Sequence, residues 1–231
     1  MFTGFTEETI RFFLDLRFHN DISYFKSHED EYRRNVKEPF FSLIREIGPT
    51  MREIANDIEL RPEKCLARIR RDTRFTKDKT PFRDHLWLLF RRAAEPREAS
   101  VMYWFELSPE DVAWGVGFWG ENRPAMNVLR DSMVRKPSVF LAALKKSRLP
   151  EEGMLLYGDS FQRMKIPNEV PELLRDYYPR KSLYIKRTGV PLAKAYTPEL
   201  ISLVTKDFVR LQPMYQLLRS AADEGVKKLE G

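Results

Sequence analysis

Apolar residues in the first third of the chain recur at helical spacing. In Phe5-Thr6-Glu7-Glu8 the threonine can cap a helix and the two acids suit its positive end. Phe5 can close over Ile10 as a hydrophobic staple, and Ile10, Phe13 and Leu14 share one face. His19-Asn20-Asp21 ends that helix and can start another, with Tyr24, Phe25 and Tyr32 as apolar contacts. Pro39 and Gly48-Pro49 are expected to divide the next stretch into shorter helices. The stretch from Cys65 to Ile69 fits helix or strand.

Further on the period changes to two. Val101, Tyr103, Phe105 and Leu107 alternate with Met102, Trp104 and Glu106, which reads as a strand. Ser108-Pro109-Glu110-Asp111 is a turn with proline at its favoured second position, and Val112, Trp114, Val116 and Phe118 alternate again. With Leu86 to Phe90 these strands predict a meander over 86–120. Gly115 and Gly117 fall on one side of their strand, where a missing side chain lets a helix, a backbone or a ligand approach, helix packing being the expected use. Asn122-Arg-Pro124 opens a helix, and Pro137 separates it from a second one ending near Lys146. Met154 to Ile166 reads as a hairpin turning at Gly158-Asp159, and Ser182 to Arg187 as a short strand. Near the end Thr197 caps and Pro198 starts an amphipathic helix with Leu200, Ile201, Val204, Phe208 and Leu211 on one stripe; Pro213 bends or restarts it.

The order is helices, then closely connected strands, then helices mixed with short strands. It predicts an α+β fold: an antiparallel sheet covered by helices, with a helical N-terminal third and a C-terminal amphipathic helix. One domain is expected over 1–231, with a helical segment at 1–60, a sheet-bearing segment at 86–187 and the last helix at 197–226.

Composition narrows the function classes. Hydrophobic residues at 42% and charged residues at 32% suit a soluble chain, and no apolar run approaches a membrane span. The N-terminus carries Glu7, Glu8 and Asp15 and lacks the pattern of a signal peptide. Cys65 stands alone, so neither an internal disulfide nor a cysteine-based zinc site is expected. These features predict a cytoplasmic protein without a membrane partner. His19, His28 and His85 lack the short pair spacing of metal ligands, and no phosphate-cradling glycine motif is present, so neither metal nor cofactor is assigned. Gly158-Asp159-Ser160-Phe161 is similar to the GDS box of certain serine esterases. No histidine follows His85 to activate the serine, and no catalytic residue is assigned.

Charge is concentrated. The net charge is +6, and the segment from Arg68 to Arg83 alone carries +5, from Arg68, Arg70, Arg71, Arg74, Lys77, Lys79 and Arg83 against Asp72 and Asp78. In a helical turn Arg68 and Arg71 would share a face and Asp72 would reach back to Arg68. Guanidinium forks suit carboxylate and phosphate oxygens. One reading therefore makes Arg68, Arg71, Arg74 and Lys79 ligands of a small anion, with Asp72 and Asp78 as orienting groups. A second makes the same residues an ion-pair network that serves geometry alone. A third is nucleic-acid binding, which the near-neutral remainder of the chain disfavours. Phe75, Pro81 and Phe82 supply apolar anchors.

The pattern Arg68-x-x-Arg71-Asp72-x-Arg74-Phe75-x-x-Asp78-Lys79-x-Pro81-Phe82 resembles the signature of the bacterial domain of unknown function 2461 family. Asn20 to Phe25, Tyr32, Pro39, Gly117 to Trp119, Arg130 and Lys181 fall where weaker features of that family are expected. The family pattern carries tyrosine where this chain has Phe82, so the resemblance carries over no role for a phenolic hydroxyl. It implies no reaction, because the family has no established activity.

Overall fold

The computed structural model describes residues 1–74, 77–96, 100–149 and 153–230. Phe75, one of the expected apolar anchors, lies outside them. The elements run α1 (Glu7–Phe18), α2 (Ile22–Ser27), α3 (Glu29–Glu31), a π-helical turn at Tyr32–Lys37, α4 (Glu38–Ile54) and α5 (Pro62–Cys65). Then come β1 (Leu86–Phe90), β2 (Val101–Leu107), β3 (Val112–Phe118), α6 (Arg123–Arg135), α7 (Pro137–Lys146), β4 (Met154–Tyr157), β5 (Tyr184–Arg187), α8 (Glu199–Arg210) and α9 (Gln212–Glu230). The strands form one antiparallel sheet in the order β1-β2-β3-β5-β4, so the fold is α+β and the meander over 86–120 is present. Among the described residues, no helix is long and apolar enough to cross a membrane.

The chain divides into two compact units. The first comprises Met1–Phe90, Trp104–Trp114 and Gly189–Lys206; the second comprises Arg91–Tyr103, Gly115–Thr188 and Asp207–Gly231.

In the first unit, Asp21 caps α2 by accepting from the Tyr24 N–H at 2.8 Å. At α1 the Thr9 hydroxyl accepts from the Thr6 N–H at 3.2 Å and donates to the Asn35 carbonyl at 2.6 Å. The buried face of α1 is Ile10, Phe12, Phe13 and Leu16, while Leu14, expected on that face, is exposed. The core is aromatic: Phe5 lies 4.8 Å from Phe40 and 6.0 Å from Phe105. Helix α4 corrects an expectation, since it runs unbroken through Pro49. An interior proline costs about 3 kcal/mol. Phe40, Leu43, Ile44, Ile47 and Met51 are fully buried on one stripe. At about 1.5–3 kcal/mol for each side chain, that burial outweighs the cost.

In the second unit, β4 pairs with β5 in the register Met154↔Arg187 to Tyr157↔Tyr184, and the pairing resumes at Ser160↔Arg180. The predicted tight hairpin at Gly158-Asp159 is therefore absent. Gly158 serves close approach instead: a Cβ there would lie 2.1 Å from the Ser182 carbonyl oxygen. Gly117 serves the same end. Its missing Cβ would meet the Leu183 carbonyl oxygen at 2.4 Å, so a neighbouring strand, not a helix, uses the space. Helix α6 packs along α9. Buried Asp207 receives a two-bond fork from Arg187, both bonds at 2.8 Å.

Candidate functional site

The basic segment belongs to the first unit, and its backbone is extended. After α5, the Ala67 N–H donates to the Trp87 carbonyl (2.9 Å), Arg83 N–H to Ile69 (2.9 Å) and Arg71 N–H to Pro81 (2.8 Å). Bridges join Leu66 to Leu88 and Arg70 to Phe82. This pairing overturns the helical-turn placement of Arg68 and Arg71. Side chains alternate instead: Ile69 is 7% exposed, while Arg68 and Arg70 on either side of it are exposed. The two bridges enclose two more residues on the 82–88 side than on the 66–70 side, so that side bulges around Asp84 and His85.

An apolar and amide anchor holds the hairpin to α1 and α2. Phe82 is 4% exposed and stacks on Phe25 with ring centres 4.2 Å apart. The Phe82 N–H donates to Asn20 Oδ1 (2.9 Å), and Asn20 Nδ2 donates to the Phe82 carbonyl (3.0 Å). Two stretches that the sequence keeps far apart, Asn20–Phe25 and Pro81-Phe82, thus form one contact. Phe82 is held by ring stacking and backbone, and neither needs a phenolic hydroxyl.

Three of the four expected anion ligands have partners within the segment. Arg74 grips Asp72 in a fork, Nε to Oδ1 at 2.9 Å and Nη2 to Oδ2 at 2.7 Å. Asp72 therefore orients Arg74, not Arg68, and the hydrogen bonds from Arg74 hold its carboxyl down at about 2. Asp78 accepts from the Thr80 hydroxyl (2.7 Å), the Thr80 N–H (2.9 Å) and Arg71 Nη1. The Thr80 hydrogen bonds lead in keeping its carboxyl below the ordinary range, with Arg71 adding to them. Lys79 Nζ donates to the Thr73 carbonyl at 2.8 Å.

Arg68 is the exception, because its side chain has no partner among the described residues; the same holds for Arg70 and Lys77. Behind the Arg68–Arg70 pair, Arg83 Nη1 donates to both of their carbonyls, at 2.8 and 2.7 Å, and its guanidinium lies 4.8 Å above the Trp87 ring. Burial lowers the Arg83 pKa, and the charge of Arg71 lowers it further, so cations are crowded here. Arg70 and Arg83 were not among the expected ligands. Their signal was available as strand alternation: an apolar Ile69 between two arginines.

On the bulge, Arg17 Nε donates to Asp84 Oδ2 and Arg17 Nη1 to Glu110 Oε1, both at 2.6 Å. His85 Nδ1 lies 3.0 Å from Asp84 Oδ1, and its ring stacks on Trp87 at 5.5 Å. Among the described residues, no group of three His, Cys, Asp or Glu side chains is placed to hold a metal ion.

Comparison with curated proteins finds no match. The family comparison does: residues 8–217 match the model described as "Conserved hypothetical protein (DUF2461)", and the chain belongs to that family.

Proposed function

We propose that the protein binds a small anion, a phosphate or carboxylate group, at the outward face of the basic hairpin. Arg68 and Arg70 are the ligands and Arg83 supplies positive charge behind them. The observation that carries this reading is the pair of exposed guanidinium groups two residues apart on one strand face, with no partner among the described residues. Alternate side chains on a strand stand roughly 6–7 Å apart, a span that two forks can close around one oxyanion. Arg71, Arg74 and Lys79 then shape the loop, and Asp72 and Asp78 hold them. No reaction is assigned, because among the described residues no nucleophile is matched to a base.

A second reading makes the whole segment a geometric brace. It is favoured by the Arg74–Asp72 fork and by the Lys79 bond to Thr73.

Nitrogen-15 NMR of the arginine Nε–H groups separates the two. Titration with phosphate or citrate is expected to move the Arg68 and Arg70 resonances together and to saturate. Resonances that stay in place with both anions leave the brace as the correct account. An oligonucleotide that moves them, with affinity falling steeply as salt rises, would replace the small anion by nucleic acid.

A further inference from the structure

The second unit contains a cavity of about 350 Å³ whose charges do not balance. Its wall on α6 carries Arg123, Asn127 and Arg130, at positions i, i+4 and i+7, so they share one helix face. Opposite lie Phe161, Met164 and Lys181.

Arg130 is the central observation. It is only 9% exposed. Its Nε donates to the Tyr178 carbonyl (2.9 Å), Nη1 to Asn127 Oδ1 (2.8 Å) and Nη2 to the Arg180 carbonyl (2.5 Å). All three acceptors are neutral, and no carboxylate lies within ion-pair distance of it among the described residues. Buried charges are ordinarily paired, because desolvating an ion without a counter-charge is costly. Burial lowers the Arg130 pKa; Tyr178 offsets part of that effect, and the like charge of Arg123 lowers it again. Lys181 adds a third cation, with its Nζ 5.2 Å from the centre of the Phe161 ring; Arg130 lies 5.4 Å from the same ring. Among the described residues the single acid on the wall is Glu121, 3.5 Å from Lys181 Nζ. The wall therefore carries a net charge of about +2.

We infer that this cavity is a binding site for a small phosphate monoester. The phosphate lies among Arg123, Arg130 and Lys181, and the organic part lies against Phe161 and Met164. A phosphate monoester carries about −1.5 to −2 at neutral pH, close to the excess on the wall. Of the five N–H groups on Arg130, three are used within the chain, and one on each Nη is left to donate. Two backbone carbonyls and Asn127 hold the guanidinium in place, so binding does not have to order it. The Phe161 N–H donates to the Pro179 carbonyl at 2.9 Å, which fixes the backbone under the ring, while the ring itself is 41% exposed. Small-molecule pockets begin at roughly 300 Å³, so the space takes a phosphate with a small organic group and little more.

Phenyl phosphate and inorganic phosphate are the probes, titrated by calorimetry into a chain carrying Arg68→Ala and Arg70→Ala, so that the basic hairpin cannot supply the signal. Phenyl phosphate is expected to bind in the millimolar range or tighter, and more tightly than inorganic phosphate. Adding Arg123→Ala and Lys181→Ala is expected to weaken it by about tenfold or more; both are wall residues whose loss leaves the Arg130 hydrogen bonds in place. Glu121→Gln removes the negative charge that Glu121 brings to the wall and is expected to tighten binding. Absence of heat at millimolar phenyl phosphate overturns the assignment. So does an affinity that ignores both the double cation removal and Glu121→Gln.

Discussion

The basic hairpin and the α6 cavity use the same residue types in opposite ways. In the hairpin, Arg74 and Arg71 lie in or near solvent and have Asp72 and Asp78 as counter-ions. In the cavity, Arg130 is buried and its partners are neutral carbonyl oxygens. Exposed ion pairs are individually weak, because water solvates both ions well without the contact. A buried cation without a carboxylate is a larger imbalance, although it stands alone in the sequence. The number of cations in a segment therefore measures local charge density. It does not measure unmet electrostatic demand, which depends on burial and on what the backbone has already supplied.

The sharpest way to break this comparison is to remove the hairpin's apolar anchor. If its geometry rests on Phe82 and Phe25 more than on ion pairs, Phe82→Ala should cost about 3–4 kcal/mol in urea unfolding, the usual loss for a buried phenylalanine. A loss below about 1 kcal/mol would mean that the charged network carries the segment, and the contrast between the regions would collapse.

Arg130→Met tests the other side. The substitution leaves the Tyr178 and Arg180 carbonyls without their donor, and it also removes a poorly compensated charge. The lost hydrogen bonds are expected to dominate, with a net cost of about 2 kcal/mol in the absence of ligand. With phenyl phosphate present the gap to wild type should widen, because only the wild type gains from binding. A gap that stays constant with ligand would show Arg130 to be a brace like the hairpin arginines.

Much of the fold was legible because it obeys local rules. Alternation marked β2 and β3, a short apolar run marked β1, and Asp21, Asn122 and Pro137 marked helix starts. The failures share one cause, which is tertiary burial overriding a local signal. Pro49 promised a break, but the buried stripe of α4 outweighed it. Gly158-Asp159 suggested a tight turn, yet β4 found its partner in β5, beyond Arg180. The three-residue spacing of Arg68 and Arg71 suggested a helical face, whereas pairing with residues 81–88 imposed a period of two. Arg130 and Lys181 were visible as positions of the family pattern. Their convergence with Arg123 and Phe161 was not, because nothing in the sequence states which backbone carbonyls meet a guanidinium.

The smallest expected effect sharpens the comparison within the hairpin itself. Asp72 titrates at about 2 because Arg74 bonds to it, through its side chain and then through its N–H at 3.2 Å. Its folded pKa lies below the ordinary value near 3.9, so its contribution to stability is present above about pH 4 and is lost as the pH falls through about 2. Arg74→Ala should leave the urea midpoint at neutral pH unchanged within error, since both side chains are exposed. The same change should move the Asp72 titration upward towards its ordinary range, read by carbon-13 NMR of the carboxyl group. The N–H of residue 74 survives the substitution and can hold the carboxyl only partly down, so a pKa that stays near 2 would mean that Arg68, Arg70 and Lys77 hold the carboxylate collectively. Those cations would then already have an anion of the chain's own, and Arg68 and Arg70 would not be the ligands of a small anion.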